Sequence, residues 1–203
     1  MCDEWIPVVT VPMTPEQFQA LPRNPAFRYE YLAAQAHLSP RPRFYHALLD
    51  LQRCPPAGPV PQHVSLRPLS ESDFGDLAHV FSAAFERQQP FASLDADKRL
   101  QAARASLDKL RGGGDGPWLR QASFIAVENT HHPVGAILLT LLPDEDPAEW
   151  DSFHWREPPP ADCIERRLGR PHITWVFVSP WHAGRGTGTA LLAAAAAALR
   201  DLG

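Results

Sequence analysis

The chain has 203 residues and a mass of 22.5 kDa, with 44% hydrophobic and 21% charged residues, values that allow a buried core and exclude wholesale disorder. Its 19 basic and 23 acidic residues give a net charge of −4 and a pI near 6.1. That balance lacks the basic surplus of a protein that lives on nucleic acid or anionic lipid, so neither nucleic acid nor membrane is an expected partner.

The longest apolar run free of charge and proline, Thr187 to Leu199, is mostly alanine and too short to span a bilayer. The opening MCDEWIPVV places two acidic residues where a signal peptide needs positive charge, which makes a cytoplasmic protein the expectation. Cys2, Cys54 and Cys163 are odd in number and form no CxxC pair. Ordinary free thiols are expected, with neither a disulfide framework nor a zinc site.

Of the 22 prolines, 11 fall in the first 62 residues. They culminate in CPPAGPVPQ (Cys54 to Gln62), a stretch that excludes helix and marks a stiff linker. Residues 1–62 are therefore a small proline-rich α+β module with its linker, and residues 63–203 the main domain. Within the module, FRYEY (Phe27 to Tyr31) and AHL (Ala36 to Leu38) pattern as a hairpin, and FYHALLDLQ (Phe44 to Gln52) as an amphipathic helix. A unit this small buries little core alone and is expected to dock on the rest.

In the main domain, VSLRPL (Val64 to Leu69) reads as a strand. Ser70 to Phe85 reads as a helix with Phe74, Leu77, Val80, Phe81 and Phe85 on one face. Ala96 to Arg111 is a second helix, stopped by three glycines, and Ala122 to Leu142 gives two strands across a polar turn at Asn129 to His132. A long loop, Pro143 to Arg170, contains a short helical stretch near Asp162 to Leu168. It also carries an acidic cluster (Asp144, Glu145, Asp146, Glu149) suited to a cationic amine, and Trp150, Phe153 and Trp155, which predict that it folds over something. HITWVFV (His172 to Val178) is a β-branched, aromatic strand that alternation would place with His172, Thr174, Val176 and Val178 on one face. The sequence SPWHAGRGTG then leads into an alanine-rich helix, Thr189 to Leu202.

That last strand, turn and helix carry the chemistry. Gly184, Gly186 and Gly188 remove Cβ atoms where a strand hands over to a helix, so that backbone amides can converge on an anion such as a pyrophosphate. A Walker loop requires a lysine, and none follows Lys109. A dinucleotide fingerprint requires glycine where Thr189 stands and an acidic residue some twenty positions on.

In element order and in the sequence VFVSP…AGRGTG (Val176 to Gly188), residues 63–203 resemble the GNAT superfamily of N-acetyltransferases. The resemblance implies an α/β fold with a mixed sheet, of which this sequence carries the first two thirds. The family continues with a fifth strand, a fourth helix and a final strand pair. It implies acetyl-CoA as acyl donor and co-substrate, no metal, and a small-molecule or peptide amine as acceptor. The pyrophosphate would lie on Gly184, Arg185, Gly186, Thr187, Gly188 and Thr189, and the pantetheine arm against Val176, Phe177 and Val178. Ala183 replaces the family's arginine or glutamine at the loop's first position, and Arg185 is the cation at hand.

Two residues are candidates for the catalytic base: His172 on the fourth strand, acting through water, and Glu128 at the end of the second. The family's tyrosine acid would lie beyond Gly203, since the only tyrosines are Tyr29, Tyr31 and Tyr45. His131, His132, His154 and His182 fall in turns or loops with no metal-binding spacing. No cysteine neighbours the loop, so direct attack by the amine is expected. A non-catalytic acyl-CoA-binding or protein-interaction module on the same scaffold is the alternative. A homodimer is a further candidate, and in a truncated product the exposed edge of the fourth strand would aggregate or dimerise by strand exchange.

Overall fold

The N-terminal module is built around a hairpin of two six-residue strands, β2 (Phe27–Leu32) and β3 (Gln35–Pro40). They are seen in a computed structural model that describes residues 9–22, 27–40, 47–53, 59–88, 90–128, 132–144 and 155–203. A third strand, β1 (Val9–Pro12), pairs with the free side of β3 to give the order β1-β3-β2, all antiparallel. Its alternation, Val9-Thr10-Val11, runs for only three residues, and both valines are exposed. The hairpin turns through Ala33 and Ala34 at φ 50° and 59°, a doubly left-handed turn that sequences usually mark with Asn-Gly. Helix α1 (Pro15–Gln19) carries a Thr14/Gln17 capping box, and Phe18 lies 5.3 Å from the Tyr31 ring.

Leu32 of β2 packs against the core cluster that α2 and α3 share with the larger sheet. The helix expected over 44–52 is not found in its described part. Residues 47–50 are irregular, 51–53 form a turn, and 44–46 lie outside the described residues. The reason is energetic: Leu48 and Leu49 stay exposed, and a short amphipathic helix without a surface to bury its apolar face does not repay its nucleation cost. Of the proline-rich linker, residues 54–58 also lie outside the described residues.

The main domain is a three-layer sandwich. Its sheet has the order β4-β5-β6-β7, formed by β4 (Ser65–Pro68), β5 (Phe124–Glu128), β6 (His132–Leu142) and β7 (Arg170–Val178), with every pairing antiparallel. Helices α2 (Phe74–Ala84) and α3 (Ala96–Arg111) cover one face. Helix α4 (Thr187–Leu202) covers the other. Ala136 and Leu138 of β6 face α2 and α3, while Ile137, Leu139 and Leu141 join the core under α4. Where β5 ends its pairing, the segment 117–119 takes over. The Leu119 amide donates to the Leu139 carbonyl and the Leu141 amide to the Pro117 carbonyl, both at 2.9 Å.

Helix α3 begins at an Asp95 N-cap that accepts from the Lys98 amide at 2.9 Å. Helix α2 follows a 3-10 turn, Glu71–Asp73, and buries Phe74, Leu77, Ala78 and Phe81. Asp73 ties this start to β4. Arg67 donates to its two oxygens at 2.8 and 2.6 Å, and the Ser70 amide donates at 2.8 Å.

These hydrogen bonds, those from Arg67 foremost, hold the Asp73 carboxyl at about 2. A carboxyl depressed on folding adds stability that is complete above its unfolded value and is lost as pH falls through the folded one. Asp73→Asn should therefore melt below the native protein at neutral pH, and the gap should close between about pH 4 and pH 2. Melting temperatures taken across that range check it; a gap that stays constant would show that the carboxylate charge is not the source.

The described end of the long loop, residues 155–170, packs on the sheet. Trp155 donates its indole N–H to the Leu141 carbonyl at 2.8 Å and packs, with buried Cys163, on the core under α4. The helix expected near 162–168 is a run of turns. The Arg166 amide reaches the Asp162 carbonyl at 2.9 Å, but Arg167 takes φ 55° and ends the sequence. Glu145, Asp146, Glu149, Trp150 and Phe153 lie outside the described residues. No helix among the described residues is long and apolar enough to cross a membrane.

Candidate functional site

The site is assembled where β7 ends and α4 begins. Among the described residues β7 is the outermost strand of its sheet. Phe177 and Trp175 turn inward to the aromatic cluster on α2, while Val176 and Ile173 remain 40% exposed on the opposite face. The approach of β7 to β6 is close at Gly135, where a Cβ would stand 2.7 Å from the Phe177 carbonyl oxygen.

The pairing of β6 with β7 slips by one residue between Leu138 and Leu139, leaving Thr174 as the extra residue of a bulge. This corrects the expected alternation. His172 pairs with Thr140, and Thr174 bonds the Thr140 hydroxyl at 2.7 Å, on the α2 and α3 face. Val176 and Val178 pair with Ile137 and Gly135 and face the α4 side. A bulge inserts one residue, and one residue is enough to exchange the faces.

After Ser179, a 3-10 turn (Pro180–His182) leads into an exposed loop, Ala183 to Gly186. Gly184 and Gly186 adopt φ 74° and 84°, the left-handed region that a Cβ disfavours, and nothing stands within 4 Å of a Cβ on Gly184. Gly186 is the N-cap of α4, which starts at Thr187, two residues before the sequence pattern indicates. The first intrahelical bond runs from the Ala190 amide to the Gly186 carbonyl at 3.0 Å. The amides of Thr187, Gly188 and Thr189 precede it, and at a helix start such groups have no partner in the helix. Together with the dipole of a 16-residue helix they are the kind of group that can receive an anion. Arg185 is exposed beside them, and the Thr187 hydroxyl is buried without a hydrogen-bond partner among the described residues.

The two candidate bases lie at opposite ends of the sheet. Glu128 pairs with His132 and His172 with Thr140, eight residues further along β6, or about 26 Å at strand spacing. His172 stands at the far end of β7 from the loop, beyond the bulge. Glu128 is at the loop end, where its carboxylate accepts from or pairs with His182 Nε2 at 3.1 Å. The His182 ring is nearly parallel to that of His63, with 6.2 Å between centroids and 17° between planes.

His63 and His182 were not legible as site residues, because no spacing relates them to each other or to Glu128. Trp181, 73% exposed beside the loop, likewise had no signal. Among the described residues no group of three or more His, Cys, Asp or Glu could hold a metal ion.

The model of the acetyltransferase (GNAT) family matches residues 85–203. No curated protein matches the chain. Among solved structures, the chain is similar to a GNAT family acetyltransferase from Brucella melitensis in complex with acetyl-CoA, with 18% identity, coverage of 70% of this chain and 71% of that one, and a TM-score of 0.47. It is also similar to the PaiA N-acetyltransferase from Thermoplasma acidophilum in complex with coenzyme A, with 14% identity, 68% and 72% coverage, and a TM-score of 0.42.

Proposed function

The chain belongs to the GNAT acetyltransferase family, and from that premise we propose that it transfers an acetyl group from acetyl-CoA to the nitrogen of an amine. The observation that carries this reading is the pair of left-handed glycines, Gly184 and Gly186, at the head of α4 directly after an outermost strand. The residues suit the donor. The amides of Thr187, Gly188 and Thr189 would receive the pyrophosphate, Arg185 would add a cation in place of the tether that Ala183 lacks, and Val176 to Val178 offer a strand edge to the pantetheine arm.

An arm laid from the loop along β7 points its reactive end toward the Thr174 bulge and His172. His172, relaying through water, would take the proton of the attacking amine. The carbon–nitrogen bond then forms as the carbon–sulfur bond breaks, and the proton taken from nitrogen balances the departing thiolate. Cys163 is buried in the core under α4, so the described chain offers no thiol nucleophile near the loop and attack is direct.

Calorimetry with acetyl-CoA, joined to a thiol-release assay over a panel of primary amines, tests the proposal. Binding is expected, with turnover of at least one amine, and His172→Gln should lower kcat by about a hundredfold. Binding without turnover of any amine would overturn the transferase reading and leave a donor-binding module, while no binding would overturn both.

A further inference from the structure

We infer that Glu128, His182 and His63 are positioning residues that set the conformation of the donor loop, which makes the segment 59–63 part of the donor site. The inference rests on the acetyl-CoA reading above. A loop with two left-handed glycines has great freedom, and it presents its amides usefully only if both ends are fixed. Helix α4 fixes the far end. The near end is His182, whose amide closes the 3-10 turn on the Ser179 carbonyl at 2.9 Å and whose ring is held by Glu128, reaching across from the end of β5.

The linker packs under the same loop from below. Pro61 Cγ stands 3.5 Å from the place a Cβ on Gly186 would occupy, and the Val64 amide bonds the Pro61 carbonyl at 3.1 Å. That turn carries the His63 ring to His182.

His63 Nε2 and His182 Nδ1 are both shut off from solvent without a hydrogen-bond partner among the described residues. Native proteins rarely retain two such unpaired polar atoms side by side unless function uses them. Both nitrogens belong to the pair of stacked rings through which the segment 59–63 meets the near end of the loop. Apolar rings would otherwise fill the same space at less cost.

Titration of the whole chain with CoA, alongside steady-state kinetics with acetyl-CoA, tests this. Glu128→Ala and His182→Ala should each raise the CoA Kd and the acetyl-CoA KM about tenfold, the scale of one lost charge-assisted hydrogen bond, while kcat and the amine KM stay within about twofold. Glu128→Gln, whose amide oxygen still accepts from His182, should recover most of the loss. His63→Phe, which keeps a ring but removes the nitrogens, should weaken CoA about threefold, and it decides the matter if the alanine variants fail to fold. Unchanged CoA affinity in folded variants would overturn the inference, as would a fall in kcat at saturating donor with KM intact, which would make Glu128 the base. If the native chain binds no CoA, the reading of the site itself falls, a result distinct from these.

Discussion

Alanine at both Gly184 and Gly186 is expected to weaken acetyl-CoA binding by about a hundredfold while leaving the melting temperature almost unchanged. The left-handed region costs an L-residue roughly 1–2 kcal/mol, so two positions cost about 2–4 kcal/mol, and each 1.4 kcal/mol is a factor of ten in affinity. Space is not the obstacle, since a Cβ on Gly184 meets nothing within 4 Å and one on Gly186 meets only Pro61 Cγ at 3.5 Å. The strain is therefore free to relax. The loop is exposed, and it can abandon its left-handed turns without disturbing the core. The loss appears when the donor demands the original conformation, not when the chain folds. Calorimetry and a melting curve on the same preparation separate the two, and a large fall in melting temperature with affinity retained would show that the glycines serve folding instead.

Phe81→Ala is expected to have the largest effect on stability, about 3–5 kcal/mol, as for other buried phenylalanines cut to alanine. Phe81 is fully buried, and its ring touches four others: Phe85 at 4.4 Å, Trp175 at 4.8 Å, Phe177 at 5.1 Å and Phe91 at 5.2 Å between centroids. Three segments meet there: α2, the stretch before α3, and β7. The cavity would open against β7, and no neighbouring ring can follow without leaving its own contacts. Small domains are stable by only about 5–15 kcal/mol, so the variant should lose a large share of that margin in urea denaturation. Phe81→Leu, which keeps most of the volume, should lose less than half as much. A cost below about 1 kcal/mol for the alanine variant would show that the cluster collapses readily or is not the core.

The sequence pattern was most legible where one local signal decided the outcome. The helix over Ala96–Arg111 was readable to the residue, because apolar periodicity and a glycine stop agree with the Asp95 cap. The hairpin of β2 and β3 followed from alternation alone. The turn between β7 and α4 was legible because glycines at a strand-to-helix junction supply the left-handed conformations it takes at Gly184 and Gly186. Illegible parts were decided by tertiary contacts. Strand β1 is specified by its partner β3, and the bulge at Thr174 by the register of β6 against β7. Glu128 and His182 are 54 residues apart in the chain, and no pattern along it foretells their meeting. Residues 47–52 failed in the other direction. They carry a helical pattern, but their exposed leucines find nothing to pack on.

An outermost strand of nine residues, rich in β-branched and aromatic side chains, is the kind of edge on which proteins aggregate. The bulge at Thr174 changes that. It interrupts the strand's regular geometry, and Pro171 withholds an amide near its beginning. A foreign strand approaching β7 can zip along only a few residues before the register fails. Among the described residues, the irregularity thus divides the edge of β7 into two short straight runs, Arg170 to Ile173 and Trp175 to Val178.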